Sequence, residues 1–193
     1  VIYLYTDGAA RGNPGPAGAG AWACDDDDQV LFEHGSRLGR ATNNEAEYRA
    51  LILGLQSLRK YGYSSGPLTV SMDSELIIRQ LQGAYRVKSA SLRPLFEEAR
   101  SLLRNYDPCV LRALPRADNA RADALANAAL DARTNAAPTT PDGRPLVRSA
   151  EYVAACAEAG DPAKLSAAIS RHRHVLDTFE AAVRTPDSTT HGG

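Results

Sequence analysis

Up to about residue 134 the hydrophobic pattern of this chain switches repeatedly between a strand-like and a helix-like period, which limits it to folds that layer helices on a sheet. Residues 1–6 alternate as a strand with Tyr3 and Tyr5 on the same side as Asp7. Further strands are expected at 19–24, 29–38, 67–72 and 109–114, and helices at 44–61, 74–83, 91–105 and 119–133. The order βββαβααβα predicts an α/β fold with a five-stranded mixed sheet flanked by helices. Gly8 to Gly20 holds five glycines and two prolines and reads as a long turn-rich loop. Asp25-Asp26-Asp27-Asp28 reads as a solvated hairpin tip, because the spaced ligand pattern of a calcium loop is missing.

Composition changes near residue 134. Residues 1–134 are expected to form one domain, 135–148 a linker rich in Pro, Thr and Ala, and 149–184 a helical hairpin extension. Leu165, Ala168, Ile169, His172, Leu176, Phe179 and Val183 recur at helical spacing, and Gly160-Asp161-Pro162 separates that helix from a shorter one at 149–159. The hairpin packs on the domain or on a protein partner, and the sequence does not choose; residues 185–193 are expected to be a disordered tail. With 44% hydrophobic and 23% charged residues, the chain has material for a core and is not wholly disordered. Its apolar runs are too broken to cross a bilayer, and Val1–Tyr5 leads straight into Asp7, so neither a membrane span nor a signal peptide is expected. Cys24, Cys109 and Cys156 form neither a disulfide framework nor a zinc pattern, which points to the cytoplasm. A net charge of −1 leaves nucleic-acid binding to a local basic patch.

Four acids stand out. Asp7 is expected to end the first strand, with Gly8 allowing a sharp turn; taken by itself it reads more readily as an Asx turn closing the strand. From Glu47, helical steps land on Ala50, Leu51, Gly54, Leu55 and Leu58, so this acid heads a core-facing stripe, whereas Glu45 falls on a solvated face. A helix N-terminus favours an acid, but a buried carboxylate needs a further reason. Asp73 lies where a strand hands over to a helix, with Ser74 the stronger cap. Asp123 lies in the first turns of the last helix, where Asp118 or Asn119 already serves as cap. Four converging acids would repel one another and raise their own pKa values; divalent cations with a taste for hard oxygen, magnesium or manganese, remove that problem.

These elements resemble type 1 ribonuclease H over roughly residues 1–134. The shared motifs are Thr6-Asp7-Gly8, Gly12-Asn13-Pro14-Gly15-Pro16, Thr42-Asn43-Asn44 with Glu47, Asp73-Ser74, and Ala122-Asp123-Ala124-Leu125-Ala126-Asn127. The resemblance is closest to the archaeal and actinobacterial branch, whose closing motif is Pro-Arg, here Pro115-Arg116. It implies hydrolysis of the RNA strand of an RNA–DNA hybrid by a two-metal mechanism, leaving a 5′-phosphate and a 3′-hydroxyl. It also implies metal binding by Asp7, Glu47, Asp73 and Asp123, with two magnesium ions and manganese able to substitute. Asn13, Thr42, Asn43 and Asn44 match positions that contact nucleic acid; local turn and cap bonding remains the alternative for each asparagine.

Arg79, Arg86, Lys88 and Arg93 lie around Tyr85, where cations meet phosphates and the ring packs on a DNA sugar; a solvated helix face is the plain alternative. The family's long basic protrusion has no room between residues 83 and 92. Many family members carry a loop histidine before the last helix; here Arg116 stands in its place and is expected to handle the phosphate, a surface ion pair being the alternative. A junction resolvase or integrase-like nuclease would share the acids but not Asn43-Asn44 or Gly12-Asn13-Pro14. A hybrid-binding module without activity would not need all four acids.

Overall fold

The computed structural model describes residues 1–132; the linker, helical hairpin and tail expected from residue 135 onward lie outside them. The strands are β1 (Ile2–Ala10), β2 (Gly15–Cys24), β3 (Val30–Ala41), β4 (Leu68–Met72) and β5 (Cys109–Ala113). The helices are α1 (Asn43–Lys60), α2 (Glu75–Leu81), α3 (Leu92–Leu103) and α4 (Ala120–Asp131), with a 3₁₀ turn at Arg116–Asn119 leading into α4. The five strands lie in the order β3-β2-β1-β4-β5. β1, β2 and β3 are successively antiparallel, while β4 runs parallel to β1 and β5 parallel to β4. This is the mixed sheet expected from the sequence, and no helix among the described residues is long and apolar enough to cross a membrane.

Strand alternation assigns the two faces of β1. Leu4 and Thr6 meet α1, where a Cβ on Gly54 would lie 2.8 Å from Leu4 and 3.2 Å from Thr6. Tyr5 and Asp7 take the opposite face beside Trp22 and Gly20 of β2, the face that α4 covers. The stripe of α1 buries Tyr48, Leu51, Leu55 and Leu58 completely against that core, together with Val70 and Met72 of β4 and Ile77 of α2. Burying one such side chain stabilises by about 1.5–3 kcal/mol, so this stripe supplies a large share of what holds α1 down. The Tyr48 hydroxyl donates to Gln80 at 2.7 Å and satisfies the polar groups buried between α1 and α2.

The expected loop from Gly8 to Gly20 is instead mostly strand, with only the turn between Ala10 and Gly15 outside β1 and β2. Asp7 therefore lies within β1, not at its end. The glycines mark close helix-on-sheet packing. A Cβ at Gly8 would lie 2.2 Å from the Ala46–Glu47 peptide of α1, and one at Gly20 would lie 2.3 Å from the Ala122 carbonyl of α4. Glu45 is likewise not simply solvated. Its carboxylate accepts the Thr42 amide at 2.8 Å while the Thr42 hydroxyl accepts the Glu45 amide at 3.3 Å, a reciprocal cap that starts α1. Ser74 holds the N-cap position of α2 without a side-chain capping bond. The Asp25 carboxylate accepts the Asp27 and Gln29 amides, each at 3.0 Å, and closes the acidic hairpin tip.

Gly20→Ala should lower stability by about 1–3 kcal/mol, since α4 must retreat from the sheet. Gly35→Ala on β3 should cost less, because its nearest α4 atom, the Leu125 carbonyl, lies 3.0 Å from the added Cβ. Denaturant melts of the two variants check the order; equal losses would show that helix proximity is not what position 20 requires.

Candidate active site

Three acids from three elements converge. Asp7 projects from β1, Glu47 from the first turns of α1, and Asp73 from the residue after β4; one carboxylate oxygen of each lies within 4.8 Å of the others. The parallel β1–β4 pair sets Asp7 and Asp73 side by side, and the close approach at Gly8 brings the α1 backbone against β1 at the level of Asp7. Asp7 and Glu47 are only 4% and 5% exposed. Burial raises the Asp7 carboxyl to about 7, reinforced by the charge and hydrogen bond of Asp73 and by the charge of Asp123. Burial also raises Glu47 to about 9, with the charges of Asp7 and Asp73 adding to it and a hydrogen bond from the Gly8 amide opposing it. One Glu47 oxygen, Oε2, is buried without a partner. Hard oxygen donors, mutual repulsion and an unpartnered carboxylate oxygen together fit a divalent cation.

Asp123, the fourth acid of the sequence reading, is not in that close group. Arg116 donates to its Oδ1 at 2.8 Å and Asn127 to its Oδ2 at 3.0 Å, so its charge is engaged at the rim of the cluster. The ion pair offered as the plain alternative for Arg116 thus exists, but its partner is the candidate ligand itself. Arg116 is otherwise open, with 78% of its side chain exposed.

Asn119 is the residue that sequence reasoning missed. The sequence offers Asp118 or Asn119 as the cap of the last helix; Asn119 holds the N-cap position of α4, without a side-chain capping bond. Its buried amide instead donates to the Thr6 carbonyl at 3.0 Å and to Asp73 Oδ1 at 3.4 Å. A signal was available, since Asn119 and Asp123 are one helical turn apart and so point to one side.

The motif residues gather around the start of α1. Asn13, in the β1–β2 turn, accepts the Asn43 amide at 3.3 Å through its side chain, and Thr42 caps the helix. Asn13 and Asn43 are exposed, and Asn44 is half-buried beside them in sequence. Tyr85 is 50% exposed, with the Arg79 guanidinium 5.6 Å from its ring centre. Arg79 also pairs with Glu75 at 2.8 Å, so its charge is not wholly available. Arg86 and Lys88 are exposed in the loop between α2 and α3, and Arg93 is exposed in the first turn of α3.

A five-stranded sheet in this order, with clustered acids on β1, directly after the parallel β4 and on the helix that connects them, defines the ribonuclease H-like class of protein. A sequence profile described as reverse transcriptase-like matches residues 5–129. Ribonuclease HI of Halobacterium salinarum is 44% identical over 130 residues, covering 67% of this chain and 64% of that protein. The bifunctional protein Rv2228c of Mycobacterium tuberculosis is 41% identical over 148 residues, 76% of this chain and 40% of its own length. The chain thus spans less than two thirds of either relative. Among solved structures, RNase H1 of H. salinarum NRC-1 superposes with a TM-score of 0.64 at 44% identity, covering 67% of this chain and 97% of that one. LC11-RNase H1 in complex with an RNA/DNA hybrid matches equally, with TM-score 0.64, 44% identity, and 68% and 97% coverage. The chain belongs to the type 1 ribonuclease H family.

The raised carboxyl groups fix the pH response of the metal-free protein. Folded, Asp7 and Glu47 keep their protons up to about pH 7 and about pH 9. In the unfolded chain both release them near about 4. The folded state therefore binds more protons in that window, and the contribution of these two groups to stability, complete below about pH 4, falls as pH rises. Thermal melts in chelator from pH 5 to 9 should show a falling Tm, and Glu47→Gln should flatten the upper part. A wild-type Tm that rises across this range would contradict the repulsive cluster.

Proposed function

We propose that this protein is an endoribonuclease that hydrolyses the RNA strand of RNA–DNA hybrids, giving 5′-phosphate and 3′-hydroxyl ends. The observation that carries the reading is the convergence of Asp7, Glu47 and Asp73 within 4.8 Å, in a chain that also holds the Asn13, Thr42 and Asn43 arrangement at the start of α1. Asp7, Glu47 and Asp73 would hold two magnesium ions, or manganese in their place, with Asp123 joining from the rim. Bound there, the ions would activate the attacking water and stabilise the departing 3′ oxygen.

The protein's own groups do the rest. Asn13, Thr42, Asn43 and Asn44 supply donors and acceptors suited to a 2′-hydroxyl and the adjoining backbone. Tyr85 offers an exposed ring to a sugar of the DNA strand, while Arg86 and Lys88 offer cations to its phosphates. Arg116, exposed yet pointed at the cluster through Asp123, is the cation that meets the scissile phosphate and draws it toward the acids. No covalent nucleophile is needed. We assign the protein to the cytoplasm, in keeping with the free thiols of Cys24 and Cys109.

Asp7→Asn should abolish hybrid cleavage while leaving the fold intact, because it removes charge and keeps shape. Magnesium should raise the Tm of the wild type and do less for the variant, since the ion binds only the folded cluster. Equal stabilisation of both would refute metal binding by Asp7. Binding of labelled hybrid without cutting, with magnesium present, would turn the reading to a non-catalytic module.

Arg116→Ala should lower turnover at saturating hybrid and magnesium by about tenfold or more, with little change in Tm. Arg116→Lys should recover only part, because an ammonium keeps the charge but loses the paired donors. Unchanged turnover in the alanine variant would leave Arg116 as no more than the ion-pair partner of Asp123.

A further inference from the structure

We propose that Asn119 is a positioning residue that sets the metal affinity of the acidic cluster, by tying β1, β4 and the turn into α4 together through one buried side-chain amide. The inference rests on the metal-binding reading of Asp7, Glu47 and Asp73.

Helix capping does not explain this residue. An asparagine at an N-cap ordinarily accepts an amide hydrogen bond from the first turn of its helix, and Asn119 makes no such bond. Its side chain is 1% exposed, and its Oδ1 is buried with no partner. Buried polar groups are ordinarily paired, so the bonds this side chain does make must account for its place in the core. Those bonds come from the Nδ2 group. One bond goes to the carbonyl of Thr6, the residue preceding Asp7, and the other to the carboxylate of Asp73. The orientation of the amide is fixed by its surroundings. Turned over, Oδ1 would face two acceptors, the Thr6 carbonyl and Asp73, and both bonds would become repulsions.

The consequence runs to every acid but Glu47. Asp73 follows β4 in a half-buried position, and the Asn119 amide donates to its Oδ1 at 3.4 Å. An uncharged donor holds that carboxylate in place without neutralising it, so it stays free to accept a cation. The bond to Thr6 fixes the turn Arg116–Asn119 against β1 beside Asp7, and the same turn carries Arg116 and leads into the helix that carries Asp123. Groups that hold metal-binding side chains in place govern affinity even though they never touch the ion.

Asn119→Leu tests this, because leucine nearly matches the volume, removes the donor and also removes the unpartnered oxygen. Its Tm in chelator should fall only modestly, because the Thr6 carbonyl loses its donor while the unpartnered Oδ1 is removed as well. Its dissociation constant for magnesium or manganese, measured calorimetrically without hybrid, should be weaker by about tenfold or more. KM for hybrid at saturating metal should not change. A variant with wild-type metal affinity would overturn the proposal, as would a loss confined to Tm in chelator. If the leucine variant does not fold, Asn119→Ala is read by the same two measurements. A wild type that binds neither cation would refute the metal reading itself, and is thereby told apart from a failure of the Asn119 inference.

Discussion

The site depends on how closely two helices approach the sheet. A side chain at position 8 would occupy the space of the Ala46–Glu47 peptide, and one at position 20 that of the Ala122 carbonyl. With hydrogen at both positions, α1 lies against β1 at the level of Asp7 and α4 against β2 at the strand partner of Asp7. A helix pushed outward by a methyl group would carry its acid with it. Close packing and the acidic cluster are therefore one requirement, met by the same small residues.

That closeness has an electrostatic cost. Asp7 and Glu47 share a site from which water is largely excluded, and burial, ahead of mutual repulsion, is the main cause of both raised pKa values. The protein answers with neutral donors inside and cations at the rim. The Gly8 amide serves Glu47, the Asn119 amide serves Asp73, and Arg116 and Asn127 serve Asp123. None of these pairs a cation with the acids at the centre. A site so arranged favours an incoming divalent cation over self-neutralisation by an internal ion pair.

The N-terminal end of the α4 contact is fixed by aromatic packing. Trp22 stacks on Tyr5 with ring centres 4.4 Å apart, and the Arg121 guanidinium lies 4.4 Å over the Trp22 ring while pairing with Glu33 of β3. This set ties three strands to the first turn of α4. Such a cation–ring contact contributes about 0.5–2 kcal/mol and, in addition, fixes the rotation of the helix about its axis. Rotation matters here, because Asp123 lies two residues further on and faces the cluster only in one setting.

Period and motif by themselves determined the element order and the mixed sheet, and they singled out Asp7, Glu47 and Asp73, the three of the four expected acids that the fold brings together. The stripe below Glu47 shows in the one-dimensional pattern because helix geometry is regular, and the motif spacing shows because chemistry restricts residue type. Tertiary structure decided what the glycines are for. Gly8, Gly18 and Gly20 look like turn residues in sequence, yet they lie in strands, because the demand they meet comes from a helix distant along the chain. It also decided that Glu45 closes a cap, that Asp123 pairs with Arg116, and that Asn119 spans 113 residues of sequence to reach Thr6. Each of these turns on which atoms a side chain meets across the fold, and a linear pattern holds that information only after the chain has closed on itself.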